Sequence, residues 1–172
     1  MALLDRETIE RALAKLDAGL AARGEKADLF LVGGAVMCLV HHARPSTKDV
    51  DGWFAPAQIV REVAAQVASE LGLESGWLND AAKGFVPGTA GFETFRDFDH
   101  LHVSVADART LFAMKVLASR TEEDAADIRF LAGVLGVTSS HEALKIVLGY
   151  YPEGRLTLRS QLMLEELLDD RR

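Results

Sequence analysis

The chain has 172 residues, of which 49% are hydrophobic and 26% are charged, and its formal net charge is −7 at pH 7. This length suits one domain with a core, or a core with a small helical extension, and it argues against two independent domains. The composition argues against disorder, and the acidic balance argues against a protein that wraps nucleic acid mainly by charge.

Apolar spacing and turn residues predict alternating helices and strands in the first part of the chain. Ile9, Leu13, Leu16 and Leu20 recur at helical spacing, and Gly24 closes that pattern. A later helix ends before Pro45, because a proline disfavours helix in the residue before it. The predicted elements are helices over 5–22, 35–43 and 56–71 and strands over 29–32 and 49–54.

The second part of the chain begins with a segment of poor periodicity. Residues 72–99 are rich in glycine and aromatic residues, so we expect loops there with short strands at 84–86 and 92–95. Residues 101–106 alternate and predict a strand, and the rest predicts helices over 108–119, 122–135, 140–150 and 156–169.

These elements predict a mixed α/β (α+β) fold. We expect a small twisted mixed sheet flanked by helices over residues 1–107. A C-terminal helical layer over residues 108–172 is expected to pack on this core without forming an independent domain.

The cysteine count and the apolar runs predict the compartment. The single cysteine, Cys38, cannot form an internal disulfide, so we expect a buried, inert thiol and a reducing, cytoplasmic setting. No apolar run reaches the length of a membrane span, and charges at Asp5 and Arg6 come too early for a secretory signal. We therefore expect neither export nor membrane insertion.

The most informative motif combines Gly33-Gly34 with Asp49 and Asp51. Residues two apart in a strand face the same side, about 6.5 to 7 Å apart, so the carboxylates are expected to converge. Repulsion between two neighbouring carboxylates raises the pKa of one of them unless a cation shares the site. Mg²⁺ suits such a site, because it usually binds one or two carboxylates together with phosphate oxygens. A glycine turn that opens a helix presents backbone N–H groups to phosphate. The alternative interpretation is a polar face on an exposed strand.

Charged residues in the C-terminal helices form a second candidate site. Lys115 stands alone in an apolar run, so it either reaches solvent or faces a site that needs a cation. Thr121 and Asp124 have the spacing of a variant capping box, which favours a structural role for Asp124. Asp127 shares a helical face with Leu131 and Val134. It either pairs with Lys115 or Arg129, or it supports catalysis or takes part in it directly.

Histidines and a tryptophan give weaker signals. The pairs His41–His42 and His100–His102 lack a local zinc-ligand signature, so zinc is disfavoured. His102 and Ser104 share one strand face, and that face could point toward the carboxylates Asp49 and Asp51. Trp77 either stacks on a nucleobase or lies in the core, the commoner situation.

Taken together, these residues resemble the nucleotidyltransferase superfamily of the polymerase β type. Its signature is a strand, Gly-Gly or Gly-Ser, a helix, and Asp-x-Asp on the next strand. The chain looks most like the small bacterial branch related to AbiE-type and MenT-type toxins. In that branch Arg-x-x-Thr-x-Asp-x-Asp is typical, and Arg44, Thr47, Asp49 and Asp51 match it. The resemblance covers residues 29–135.

The resemblance implies a nucleotidyltransferase fold and transfer of a nucleotidyl group from a nucleoside triphosphate. Asp49 and Asp51 would hold Mg²⁺ or Mn²⁺. Lys115 would contact the phosphates, and Asp127 would support catalysis or act as base. The residues implied to bind the nucleotide are Gly33, Gly34, Arg44, Thr47 and Lys48.

The branch further implies a tRNA 3′ end as acceptor and a cognate antitoxin protein as partner. A small hydroxyl compound is the enzymatic alternative, because aminoglycoside-modifying nucleotidyltransferases share the same motif plan. Polymerase-like members place a third carboxylate on a later strand, and residues 101–106 contain none. This departure keeps open a catalytically silent module that binds a nucleotide or a partner.

Overall fold

The computed structural model describes residues 2–119 and 122–170, and it has the mixed α/β fold that the sequence predicts. The chain divides into two compact units, one of Met1–Gly84 with Phe92–Ala106 and one of Phe85–Gly91 with Asp107–Arg172. The predicted packing of residues 108–172 on the core stays a prediction.

The first unit contains the strands. Its elements are β1 (Leu4–Asp5), α1 (Arg6–Ala22), β2 (Ala27–Val32), α2 (Gly33–Leu39), β3 (Ser46–Thr47), β4 (Val50–Ala55), α3 (Ala57–Leu71), β5 (Leu78–Asn79), β6 (Phe92–Asp97) and β7 (Leu101–Ala106). A five-stranded mixed sheet has the order β5-β4-β2-β7-β6, and β1 pairs with β3 in a separate two-stranded sheet. In the large sheet β2 is parallel to β7 and antiparallel to β4, β4 is parallel to β5, and β6 is antiparallel to β7.

The core of this unit follows from the apolar patterns. Asp5 caps α1 by accepting a hydrogen bond of 2.8 Å from the Thr8 backbone N–H. The apolar stripe of α1 is buried, and α1 packs against α3. Val50 and Phe54 alternate on β4 with less buried residues, so one face of that strand points into the core.

The second unit is helical. It contains α4 (Ala108–Ala118), α5 (Glu122–Leu135), α6 (Ser140–Leu148) and α7 (Leu158–Leu168), and α4 packs against each of the other three helices. Residues 85–91 belong to this unit, where the Tyr151 hydroxyl donates a hydrogen bond of 2.5 Å to the Phe85 carbonyl. Burial raises the pKa of Tyr151 to about 12.

The structure corrects two local predictions and adds three short strands that the sequence does not predict. α2 occupies Gly33–Leu39 rather than 35–43, since His42 takes a left-handed φ of 51° that a helix cannot contain. The prediction of a strand at 84–86 is wrong, because Ala81–Phe85 form a 3-10 helix. The Ala81 N–H donates a hydrogen bond to Oδ1 of Asn79, which fixes the start of this helix. The two-residue strands β1, β3 and β5 are too short for periodicity to reveal.

Among the described residues, no single helix has the length and apolar character needed to cross a membrane. The helices α5 and α6 meet those two requirements only as a pair joined across a 90° bend.

Candidate functional site

The two glycines lie directly beneath three predicted site residues. Gly33 has a φ of +68°, and a β-carbon there would lie 3.3 Å from Oδ2 of Asp51. A β-carbon on Gly34 would lie 2.7 Å from the Thr47 hydroxyl oxygen and 3.0 Å from Nη1 of Arg44. The positive φ of Gly33 strains any other residue there, and a β-carbon on Gly34 would force Thr47 to shift. The structure therefore brings Asp51, Thr47 and Arg44 together over the glycine turn.

Strand pairing explains how this convergence arises. β2 and β4 are antiparallel neighbours with Val32 opposite Asp51, so the end of β2 and the beginning of β4 lie side by side. The short pairing of β1 with β3 sets Leu4 opposite Thr47. Thr47 is buried, and its hydroxyl donates a hydrogen bond of 3.2 Å to the carbonyl oxygen of Asp49. Two sheets therefore fix the loop that carries the carboxylates.

The strand β4 begins at Val50, one residue later than predicted, so Asp49 immediately precedes the strand. Asp49 and Asp51 are both partly exposed, whereas Val50 between them is fully buried. Lys48 lies exposed in the turn before them. The two carboxylates therefore flank a buried residue, and their predicted convergence stays a prediction.

Asn79 is a site residue that sequence reasoning missed. Its side-chain N–H donates a hydrogen bond of 3.2 Å to Oδ2 of Asp49, and its Cα is the partner of Asp51 in the β4–β5 pairing. The residue therefore lies beside both carboxylates. No local pattern marks Asn79, because its position depends on the pairing of a two-residue strand.

The chemistry of these donors fits a hard divalent cation. The carboxylate oxygens of Asp49 and Asp51 are ligands that Mg²⁺ prefers, and Mg²⁺ usually takes one or two carboxylates while keeping several waters. Within residues 2–119 and 122–170, no group of three or more His, Cys, Asp or Glu side chains is arranged to hold a metal ion. The candidate metal ligands are the pair that the sequence predicts, Asp49 and Asp51.

Lys115 and Asp127 belong to the second unit and form a cluster there with Asp124. The Lys115 ammonium lies 2.8 Å from Oδ1 of Asp124 and 2.9 Å from Oδ2 of Asp127. The three side chains are only 12%, 14% and 5% exposed, respectively. Asp127 therefore pairs with Lys115, as one of its two interpretations expects, and Lys115 is largely shielded from solvent. Whether Asp127 also supports catalysis stays a prediction. The predicted cap, Thr121, lies outside the described residues.

Two of the histidines, His100 and His102, make structural contacts. The backbone N–H of His100 donates a hydrogen bond of 2.8 Å to Asp17, and its ring lies 2.9 Å from the Glu25 carbonyl. Nδ1 of His102 lies 3.1 Å from Oδ1 of Asp97. These contacts tie the start of β7 to its surroundings.

The two tryptophans have different environments. Trp77 is 1% exposed, and its indole N–H donates a hydrogen bond of 2.9 Å to the Ala64 carbonyl, which confirms the core interpretation. Trp53 is 38% exposed and stacks on Phe30 with ring centroids 4.9 Å apart. Because Trp53 follows Asp51 by two residues on β4, both lie on the same strand face. Sequence reasoning missed Trp53.

The predicted thiol environment is also present. Cys38 is 2% exposed, and burial raises its pKa above the usual range.

Comparison with known proteins gives no relative from which a function could be transferred, since no family model, curated protein or solved structure matches the chain.

Proposed function

We propose that this chain is a magnesium-dependent nucleotidyltransferase, which transfers a nucleotidyl group from a nucleoside triphosphate to an acceptor hydroxyl. The observation that carries the proposal is the close approach of Asp51 to Gly33, with Arg44 and Thr47 over Gly34. The glycine pair and the Asp-x-Asp pair are separated in sequence, and their contact is what the nucleotidyltransferase resemblance requires.

The residues of the first unit have distinct proposed roles. Asp49 and Asp51 hold Mg²⁺ or Mn²⁺, which supplies charge stabilisation for developing negative charge on phosphate oxygens. Asn79 orients the Asp49 carboxylate through its 3.2 Å hydrogen bond. Gly33 and Gly34 allow the phosphates to approach the backbone closely.

The remaining basic and hydroxyl groups bind the triphosphate. Arg44 offers a planar fork of N–H donors to phosphate oxygens, Thr47 offers a hydroxyl, and Lys48 adds a positive charge from the adjacent turn. The acceptor hydroxyl gives up its proton to a base as it attacks the α-phosphorus in line, and the bond to the leaving pyrophosphate breaks. Catalysis is then mostly positioning and charge stabilisation.

The cluster of Lys115, Asp124 and Asp127 has a different role in the catalytic proposal and in its alternative, a chain without catalytic activity. In the catalytic form, Lys115 contacts the phosphates and Asp127 supports catalysis or acts as base. In the rival form, the chain is a silent module that binds a nucleotide or a partner. The rival is favoured by the two carboxylates that already neutralise the Lys115 ammonium.

The acceptor and setting follow from the resemblance. The toxin-like branch favours a tRNA 3′ end in the cytoplasm and a cognate antitoxin as partner. A small hydroxyl compound of the aminoglycoside type is the other acceptor class. The nucleotide base is left open, so all four triphosphates enter the test.

The test is incubation of the full chain with each labelled nucleoside triphosphate, Mg²⁺ or Mn²⁺, and either total tRNA or small aminoglycosides. Asp49→Asn and Asp51→Asn are expected to lower transfer by about 100-fold or more, since metal charge stabilisation is worth several kcal/mol. Asp28→Asn is the matched control, because Asp28 is an exposed carboxylate on the neighbouring strand β2.

Three outcomes separate the alternatives. Transfer that survives both Asn substitutions would refute the metal assignment. Nucleotide binding without transfer to any acceptor would favour the silent module. Transfer to aminoglycosides but not to tRNA would select the small-molecule acceptor.

A further inference from the structure

A cleft of about 360 Å³ opens in the first unit. This volume falls within the range of about 300–1,000 Å³ that is common for small-molecule sites. Two guanidinium groups and an imidazole line the cleft, and they come from the start of α1 and from the loop after α2. The lining residues are Arg6, Cys38, His42, Ala43, Arg44 and Pro45.

Arg6 is held in position by two neighbours. Its Nε donates a hydrogen bond of 3.1 Å to Glu10, one helical turn away, and its Nη1 lies 2.8 Å from Nε2 of His42. His42 has a φ of 51°, a conformation that residues other than glycine rarely adopt. The chain therefore turns at an unusual backbone conformation where the imidazole meets Arg6.

Arg44 connects this cleft to the glycine turn. A β-carbon placed on Gly34 would lie 3.0 Å from Nη1 of Arg44. The Arg44 side chain therefore both lines the cleft and covers the glycine turn. Both arginines also lie near the Cys38 thiol. Burial is the main influence on the pKa of that thiol and raises it, while the charges of Arg6 and Arg44 both act to lower it.

Acidic groups beside the cleft are already engaged. Glu10 accepts the hydrogen bond from Arg6 Nε, and Asp5 accepts the capping hydrogen bond from the Thr8 N–H. Asp5 also acts on the Cys38 thiol, where it raises the pKa, so its charge is close to the cleft. A ligand of the cleft must therefore carry enough negative charge to bind the two guanidinium groups in spite of the two nearby carboxylates, Asp5 and Glu10.

We propose that this cleft binds a polyphosphate anion, with Arg6 and Arg44 as its ligands and His42 as the residue that positions Arg6. Guanidinium groups bind phosphate oxygens through paired N–H donors, and two of them from separate elements favour a chain of phosphates over a single phosphate. The anion is either the β,γ end of a bound triphosphate or free pyrophosphate. Only the triphosphate form rests on the proposed function.

The test is isothermal titration calorimetry of the full chain with pyrophosphate and with tripolyphosphate, in the absence of divalent metal. The native chain is expected to bind both anions saturably. Arg6→Gln and Arg44→Gln are each expected to weaken binding about tenfold or more, as for hydrogen bonds to charged groups. Arg11→Gln, which removes an exposed arginine from the same helix as Arg6, is expected to leave the affinity unchanged.

Further variants keep the result interpretable. Arg6→Lys keeps the charge but loses the fork, so an intermediate affinity is expected. His42→Asn tolerates the left-handed backbone and removes the imidazole, so it is expected to weaken binding less than Arg6→Gln does. Absence of saturable binding to the native chain would overturn the proposal, as would equal loss in Arg11→Gln or unchanged affinity in both Arg6→Gln and Arg44→Gln.

Titration with the four nucleoside triphosphates separates this inference from the proposed function. If pyrophosphate binding depends on Arg6 and Arg44 while no nucleotide is bound or transferred, the cleft is a site for the free anion and the proposed function fails. If nucleotidyl transfer occurs and neither arginine affects pyrophosphate or nucleotide affinity, the cleft inference alone fails.

Discussion

The contact over Gly34 makes a quantitative prediction about Gly34→Ala. The new methyl group would lie 2.7 Å from the Thr47 hydroxyl oxygen, which is much closer than van der Waals contact. Thr47 is buried and is held between β1 and the Asp49 carbonyl, so it cannot easily move away. Overpacking of this kind costs about 1–3 kcal/mol.

Helix propensity opposes this cost and must be measured separately. Alanine is favoured over glycine in a helix by about 0.5–1 kcal/mol, and Gly34 lies in the first turn of α2. Gly133→Ala is the matched control, since Gly133 lies within α5 and a β-carbon there would meet nothing within 4 Å. We expect Gly133→Ala to stabilise the protein and Gly34→Ala to destabilise it, with a difference of about 1–3 kcal/mol.

Urea denaturation of each variant gives these free energies, provided the m-value stays constant. Thr47→Ala supplies the second arm of a double-mutant cycle, because it removes the oxygen that the methyl group meets. Gly34→Ala should cost less in the Thr47→Ala background, with a coupling energy of about 0.5–3 kcal/mol. If Gly34→Ala stabilises the native chain as much as Gly133→Ala does, the contact between the glycine turn and Thr47 is wrong.

Three further predictions test other features of the structure. Lys115→Met removes the ammonium that pairs with two largely buried carboxylates, and it should cost about 3–5 kcal/mol in urea denaturation. Lys15→Met, which breaks an exposed ion pair, should cost about 1 kcal/mol or less, and similar costs for the two variants would contradict the buried cluster. Because the folded pKa of Tyr151 is raised to about 12, the unfolded chain loses that proton first, and the free energy of unfolding should fall as the pH rises from about 10 toward 12. Tyr151→Phe should reduce this fall, and an unchanged slope would exclude the assigned cause. The Trp77→Phe variant keeps the exposed Trp53, and the Trp53→Phe variant keeps the buried Trp77. Acrylamide should quench the fluorescence of the first variant more strongly, and the reverse order would contradict the assigned burial.

The fold class could be predicted from the sequence because the long elements have regular patterns. The apolar stripe of α1 and the alternation of β7 each depend on residues close together in the chain. The contact between Gly33 and Asp51 was predictable too, since a strand, a glycine turn and a second strand constrain where the Asp-x-Asp pair can lie. Local periodicity and one motif therefore accounted for the centre of the candidate site.

The parts that were missed depend on pairing between distant segments. Asn79 reaches Asp49 only because β5 pairs with β4, and β5 has two residues, too few for any periodic signal. Arg6 reads as an ordinary charged residue at the start of an amphipathic helix, and nothing local indicates that it meets His42. The pairing of Asp127 with Lys115 was among the expected possibilities, whereas Asp124 was expected to cap its helix. Spacing alone could not choose between a catalytic and a pairing role for Asp127.

The pairing of β1 with β3 has a practical consequence for handling the protein. Leu4 and Asp5 form the small sheet with Ser46 and Thr47, and Arg6 follows them directly. Removing Leu4 and Asp5 would take away the strand that pairs with the loop carrying the acidic pair. Recombinant protein for activity assays should therefore retain these residues.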